Sequence, residues 1–193
     1  MHPAFMHDRY LLKRQVLALT GKFRIYGPDG QLALFSEQKM FRLKEDVRVY
    51  ADESKAQELL WIQARQILDF SAAYDVTDST TGMRVGSLRR KGFRSMIRDT
   101  WEIWGPGDAP LGVVQEDSLT LGLLRRMLLG SLLPQNYDAR MGGERVADFR
   151  QRFNLFRYEL DADFSLDRSA RLDHRLGLAA AILLGTIEGK QHS

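Results

Sequence analysis

One short unit recurs at least four times along this chain: an apolar-alternating stretch, a glycine-bearing turn and a second alternating stretch. It occupies residues 23–35 around Gly27-Pro28-Asp29-Gly30 and residues 74–88 around Asp78-Ser79-Thr80-Thr81-Gly82. It returns over 101–114 around Gly105-Pro106-Gly107-Asp108, and more loosely over 137–149 around Gly142-Gly143. Period-two alternation around Gly, Asp and Pro is the signature of a β-hairpin. A succession of hairpins builds an antiparallel meander, whose edges must be closed or covered. The chain ends differently, in an all-apolar stretch over 176–187. A helix that is apolar all round must be surrounded. Its small residues, Gly177, Ala179, Ala180, Ala181 and Gly185, suit a confined space. The expected fold is therefore mainly β with helices: a closed antiparallel barrel around a central hydrophobic carboxy-terminal helix.

The remaining stretches fill in this plan. Residues 10–19 read as a strand or short helix, and 41–50 and 59–70 as strands separated by a polar turn over 51–57. Residues 153–164 read as a further strand or strand pair. The final helix is expected to start at Asp167 or Ser169, with Asp173 in its early turns, where the macrodipole favours a carboxylate. Trp61, Trp101 and Trp104 read as barrel-wall core. Residues 118–133 differ: Leu119, Leu123, Leu124, Met127, Leu128, Leu132 and Leu133 recur at three- and four-residue spacing, the pattern of an amphipathic helix. Pro134 ends it.

At 193 residues, without a linker or low-complexity break, the chain reads as one domain over 1–193. It has no cysteine, so disulfides, thiolate metal sites and palmitoylation are excluded. No basic stretch followed by a long apolar run stands at the amino terminus, which argues against a secretory signal. The twelve residues between Arg175 and Glu188 fall well short of the roughly 20 that cross a bilayer, so no transmembrane span is expected. The expected location is cytoplasmic, at most peripheral to a membrane.

Charge is segregated. Residues 79–98 hold Arg84, Arg89, Arg90, Lys91, Arg94 and Arg98 and no acid, whereas 99–117 hold Asp99, Glu102, Asp108, Glu116 and Asp117 and no Lys or Arg. Either these are faces of neighbouring hairpins that attract one another, or the basic stretch is an anion-binding patch. Recognisable catalytic constellations are missing: there is no Gly-x-Ser-x-Gly elbow and no P-loop. His2, His7 and His192 lie near the ends of the sequence, and His174 reads as a partly exposed helix residue.

In order and content the chain resembles the LURP-one-related and phospholipid-scramblase-like branch of the tubby carboxy-terminal-like superfamily. The matching residues are 23–30, 74–82 with the basic Leu88-Arg89-Arg90-Lys91, 101–105 with 111–117, 158–164, and the helix after Asp173. The resemblance implies a closed barrel with a central helix. Tubby-like members bind phosphoinositides through basic residues on the barrel, so the resemblance implies a headgroup-binding patch at Arg89, Arg90, Lys91 and Arg94. With Arg98 of the same basic stretch and no catalytic constellation, the expected function is a non-enzymatic barrel that binds anionic phospholipid. Scramblase relatives carry a calcium-linked acidic segment before the last helix, which Asp161, Asp163, Asp167 and Asp173 resemble. Phe164 and Leu166, however, stand where a calcium loop wants an oxygen ligand and a glycine. No cofactor is expected, calcium being the one candidate. A protein-interaction scaffold using 118–133 is the alternative function, and an enzyme of unrecognised type the third. The partners expected are anionic phospholipid at a membrane surface or a protein, not nucleic acid.

Overall fold

The computed structural model describes residues 1–15, 21–38, 46–65, 73–90, 100–117, 134–154 and 157–188. Twelve strands follow one another: β1 (Arg9–Gln15), β2 (Lys22–Tyr26), β3 (Leu32–Gln38), β4 (Asp46–Tyr50), β5 (Glu58–Ala64) and β6 (Ala73–Asp78), then β7 (Arg84–Arg90), β8 (Thr100–Trp104), β9 (Pro110–Glu116), β10 (Asn136–Met141), β11 (Glu144–Arg152) and β12 (Arg157–Asp163). Each pairs antiparallel with its neighbours in sequence, and β1 pairs with β12 from Arg9 opposite Asp163 to Gln15 opposite Arg157, closing the barrel. All four recurrent units are hairpins: β2–β3, β6–β7, β8–β9 and β10–β11. Residues 10–15 belong to a strand rather than a helix. Of the expected 153–164 strand or pair, β12 is the described strand.

Alternation decides which side chains line the lumen. Phe23 and Ile25 of β2, Tyr74 and Val76 of β6, and Trp101 and Ile103 of β8 are buried, while the residues between them face outward. Into this lumen runs α1 (His174–Glu188), the one α-helix among the described residues. Leu176, Leu178 and the run from Ala179 to Leu184 are all buried. Thr186 satisfies its hydroxyl by donating to the Ile182 carbonyl at 2.8 Å. A β-carbon at Gly177 would stand 2.3 Å from the Phe164 ring, and one at Gly185 would stand 2.8 Å from both Phe23 and Tyr158. Glycine is thus required where the helix passes the aromatic wall.

The helix starts later than the sequence suggests. Asp167 accepts from the Leu172 amide at 2.7 Å within a loop where Ala170 adopts φ 47°, a left-handed conformation that a helix cannot contain. Asp173 lies just outside the helix rather than in its early turns, and its carboxylate caps the Arg175 amide at 2.9 Å. The amino-terminal 3-10 turn (Pro3–Phe5) plugs this end of the barrel: Phe5 is buried, and its carbonyl accepts from His174 Nδ1 at 3.0 Å. His174 stacks on Phe164 with centroids 4.7 Å apart. No helix among the described residues is long and apolar enough to cross a membrane.

Two substitutions test the enclosed helix. Ala180→Asp would bury an unpaired charge and is expected to abolish cooperative folding in thermal and urea denaturation. Gly177→Ala ought to gain about 1 kcal/mol from helix propensity alone. The displaced Phe164 ring is expected to reverse that sign and leave a net loss of about 1–3 kcal/mol by urea titration.

Candidate functional site

The basic hairpin forms a charge cluster on the outer wall. Asp108, in the β8–β9 turn, presents one oxygen, Oδ1, to three guanidinium groups: Arg65 at 3.3 Å, Arg84 at 2.8 Å and Arg89 at 2.9 Å. Asp75 on β6 accepts two bonds from Arg65, at 2.6 and 2.7 Å, and pairs with Arg84 Nε at 2.9 Å. The Arg89 guanidinium lies over the Trp104 ring, 4.0 Å from its centroid. Acidic and basic hairpins therefore do attract one another. Of the patch read from sequence, Arg89 sits in this cluster and Arg90, the last residue of β7, is also engaged. Lys91, Arg94 and Arg98 lie outside the described residues, as does the amphipathic 118–133.

Arg65, Asp75 and Trp104 were not legible as site residues, because register rather than sequence proximity brings them together. Trp101 is core, as expected, but Trp61 and Trp104 face outward. Each carries an arginine on its ring, Arg48 over Trp61 at 4.1 Å and Arg89 over Trp104 at 4.0 Å. Their indole N–H groups donate to Asp46 at 2.9 Å and Glu102 at 3.1 Å. An outward aromatic residue on a strand leaves no trace in composition that separates it from an inward one.

The four aspartates before and at the helix are spread over several local pairings. Asp161 holds Arg152 by two bonds at 2.6 and 2.7 Å, and Asp163 pairs with Arg9 at 3.0 Å and accepts from the Ser165 amide at 2.9 Å. Asp167 serves the loop, and Asp173 caps the helix and pairs with Arg175 at 2.6 Å. Arg175 also reaches Asp78 at 2.6 Å, tying the helix start to β6. Among the described residues, no group of three or more His, Asp or Glu side chains is arranged to hold a metal ion.

Two further features lie near β1. A groove of about 420 Å³ runs along the outer wall between Arg9, Lys13, Tyr26, Arg152 and Asp161. On the lumen side, Arg14 lies over Phe23 and Tyr158, 5.6 and 5.8 Å from their centroids, with its Nε buried and unbonded. Burial lowers its pKa. The same two rings bracket Gly185 in the last turn of α1, so Arg14 stands at the negative end of the helix dipole.

The family model described as LURP-one-related matches residues 32–185, which include the arginine cluster, the four aspartates and most of α1. No curated protein matches the chain.

The cluster has a defined acid response. Chiefly through the Arg84 hydrogen bond, with Arg65 adding to it, the Asp108 carboxyl pKa falls from the usual 3.8 to about 2. Its folded value lies below its unfolded value, so its contribution to stability is complete above about pH 4 and is lost as pH falls toward about 2. Urea midpoints of wild type and Asp108→Asn are expected to differ by a constant margin at neutral pH. That margin should shrink across this acid window.

Proposed function

This chain belongs to the LURP-one-related family, and from that premise we propose that it is a non-enzymatic, tubby-like barrel that docks on anionic phospholipid surfaces. One observation carries the reading, the contrast in composition between the sequences that join strands at one end of the barrel and those that join them at the other. In a closed meander, alternate connections emerge at opposite ends. Gln15, Gln38, Ala64, Arg90, Glu116 and Arg152 end their strands at one rim, where α1 also finishes beside Phe23 and Tyr158.

The sequence that links strands at that rim comprises 16–20, 39–45, 66–72, 91–99, 118–133 and 155–156. Apolar residues make up 25 of these 46 positions, and eight basic residues stand against three acidic ones, a net +5. The turns of the opposite rim, 27–31, 51–57, 79–83, 105–109 and 142–143, hold four apolar residues in 24 positions. Four acids there stand against one base, a net −3. Lys91, Arg94 and Arg98, together with Arg125 and Arg126 of the amphipathic stretch, are five of the eight basic residues in these linking sequences.

Linking sequence that is both apolar and basic has the composition suited to a membrane interface. Each Lys or Arg near an anionic leaflet contributes about 1 kcal/mol, and neighbouring Leu, Met and Phe side chains gain by leaving water. The acidic rim would be repelled, which fixes the orientation of approach. Calcium is not needed, since Asp161, Asp163, Asp167 and Asp173 already serve arginines or backbone amides.

Flotation tests this reading. The protein is expected to float with phosphatidylcholine vesicles that contain phosphatidylglycerol, not with phosphatidylcholine alone. Binding should fade as salt shortens the screening length below about 10 Å and should be indifferent to calcium. Changing Lys91, Arg94 and Arg98 together to Glu should abolish it. Wild type that stays unbound to anionic vesicles at low salt would end the lipid reading and favour a protein partner.

A further inference from the structure

We propose that Arg65, Arg84 and Arg89 form a receptor for a phosphate-class oxyanion, and that Asp108 is a tethered carboxylate occupying it in the free protein. The first ground is convergence. Three guanidinium Nη2 atoms meet on the single oxygen Asp108 Oδ1 at 2.8–3.3 Å, more donors than one carboxylate oxygen can serve well. The second ground is that each arginine has an anchor independent of Asp108. Arg65 is held two-pronged by Asp75, Arg84 pairs with Asp75, and Arg89 lies flat on Trp104. Removing Asp108 would therefore leave the three donors in place and aimed at a common point.

Geometry identifies the guest. The three guanidiniums face Asp75, Asp108 and Glu102, which lies opposite Arg89 on β8 and accepts from Trp104 Nε1. Exchanging Asp108 for a phosphate monoester offers three acceptor oxygens, one for each arginine. Planar guanidinium forks are the side chains best matched to that geometry. Asp108 is also poised to leave. Its side chain is 46% exposed, so the site opens directly to solvent. It rides on Gly105-Pro106-Gly107, and nothing lies within 4 Å of where a Gly107 β-carbon would be. A carboxylate on so short a tether competes at an effective concentration on the order of millimolar, so wild type binds a free anion only weakly. The inference shares Arg89 with the lipid reading but does not depend on it, because Arg65, Arg84 and the Asp108 turn are not among the linking sequences which that reading uses.

Asp108→Gly is the decisive variant, since φ 55° at this position suits glycine and the turn is retained. By calorimetry, Asp108→Gly is expected to bind inorganic phosphate at least about tenfold tighter than wild type. Chloride at equal ionic strength should not reproduce the effect, and adding Arg84→Gln and Arg89→Gln should erase it. Vesicles of phosphatidylcholine with phosphatidic acid, a monoester headgroup, then identify the source. A parallel gain there marks a lipid, and a gain confined to inorganic phosphate marks a soluble ligand. An Asp108→Gly protein that still unfolds cooperatively in urea and binds neither phosphate nor phosphatidic acid vesicles more tightly would overturn the proposal. If Asp108→Gly does not fold, Asp108→Asn decides by the same comparison. Wild-type flotation on phosphatidylglycerol vesicles reads the rim alone, so failure there and failure here are separate results.

Discussion

The fold depends on filling a lumen. An eight-stranded barrel is just narrow enough for its own inward side chains to pack. Twelve strands enclose more space, and here α1 occupies it with a nearly unbroken apolar surface. The fit is steric at two levels. Small residues let the helix backbone approach the wall, and the aromatic rings of Phe164, Phe23 and Tyr158 stand where glycines leave room. The polar work is kept to the helix ends. Asp173 caps the first turn, Arg175 joins it to Asp78 on the wall, and Arg14 sits at the negative end of the dipole.

With the lumen given over to the helix, the arginine and carboxylate cluster around Asp108 stands on the outer wall. On the outer wall, arginine is used in a consistent way, stacked on an outward tryptophan and pinned by carboxylates. Arg48 on Trp61 with Asp46 and Glu58 is one instance, and Arg89 on Trp104 with Asp108 is another. The second differs because three arginines share one oxygen of a carboxylate delivered by a turn. That surplus of donors over acceptors separates a receptor from an ordinary surface ion pair, which gains little in water. The rims differ as well. One is plugged by the amino-terminal 3-10 turn and is acidic in its turns, while the connections of the other are apolar and basic.

The candidate site was only partly legible in the sequence. The segregation of basic 79–98 from acidic 99–117 announced that charge mattered on this hairpin pair, and Arg84 and Arg89 of that stretch are two of the three arginines that meet at Asp108. Arg65 and Asp75 could not be found that way. They precede the basic stretch and join it through β5–β6 and β6–β7 pairing. The acidic run at 161–173 resembled a metal segment as a string of letters. In space its members face different partners, because alternation along β12 and the loop before α1 turn them apart.

By itself the sequence determined the four recurrent hairpins, the enclosed terminal helix and their order. Alternation around glycine turns makes hairpins wherever it occurs, and an all-apolar stretch with small residues has to be enclosed. These are local or compositional consequences, independent of distant contacts. Only the tertiary structure decided where the helix begins, since Asp167 and Ala170 close a loop before Asp173 can cap it. It alone decided which tryptophans face outward and which arginines meet at Asp108. Those outcomes are set by register across paired strands, and a single-residue shift of register moves every side chain to the other face of the sheet.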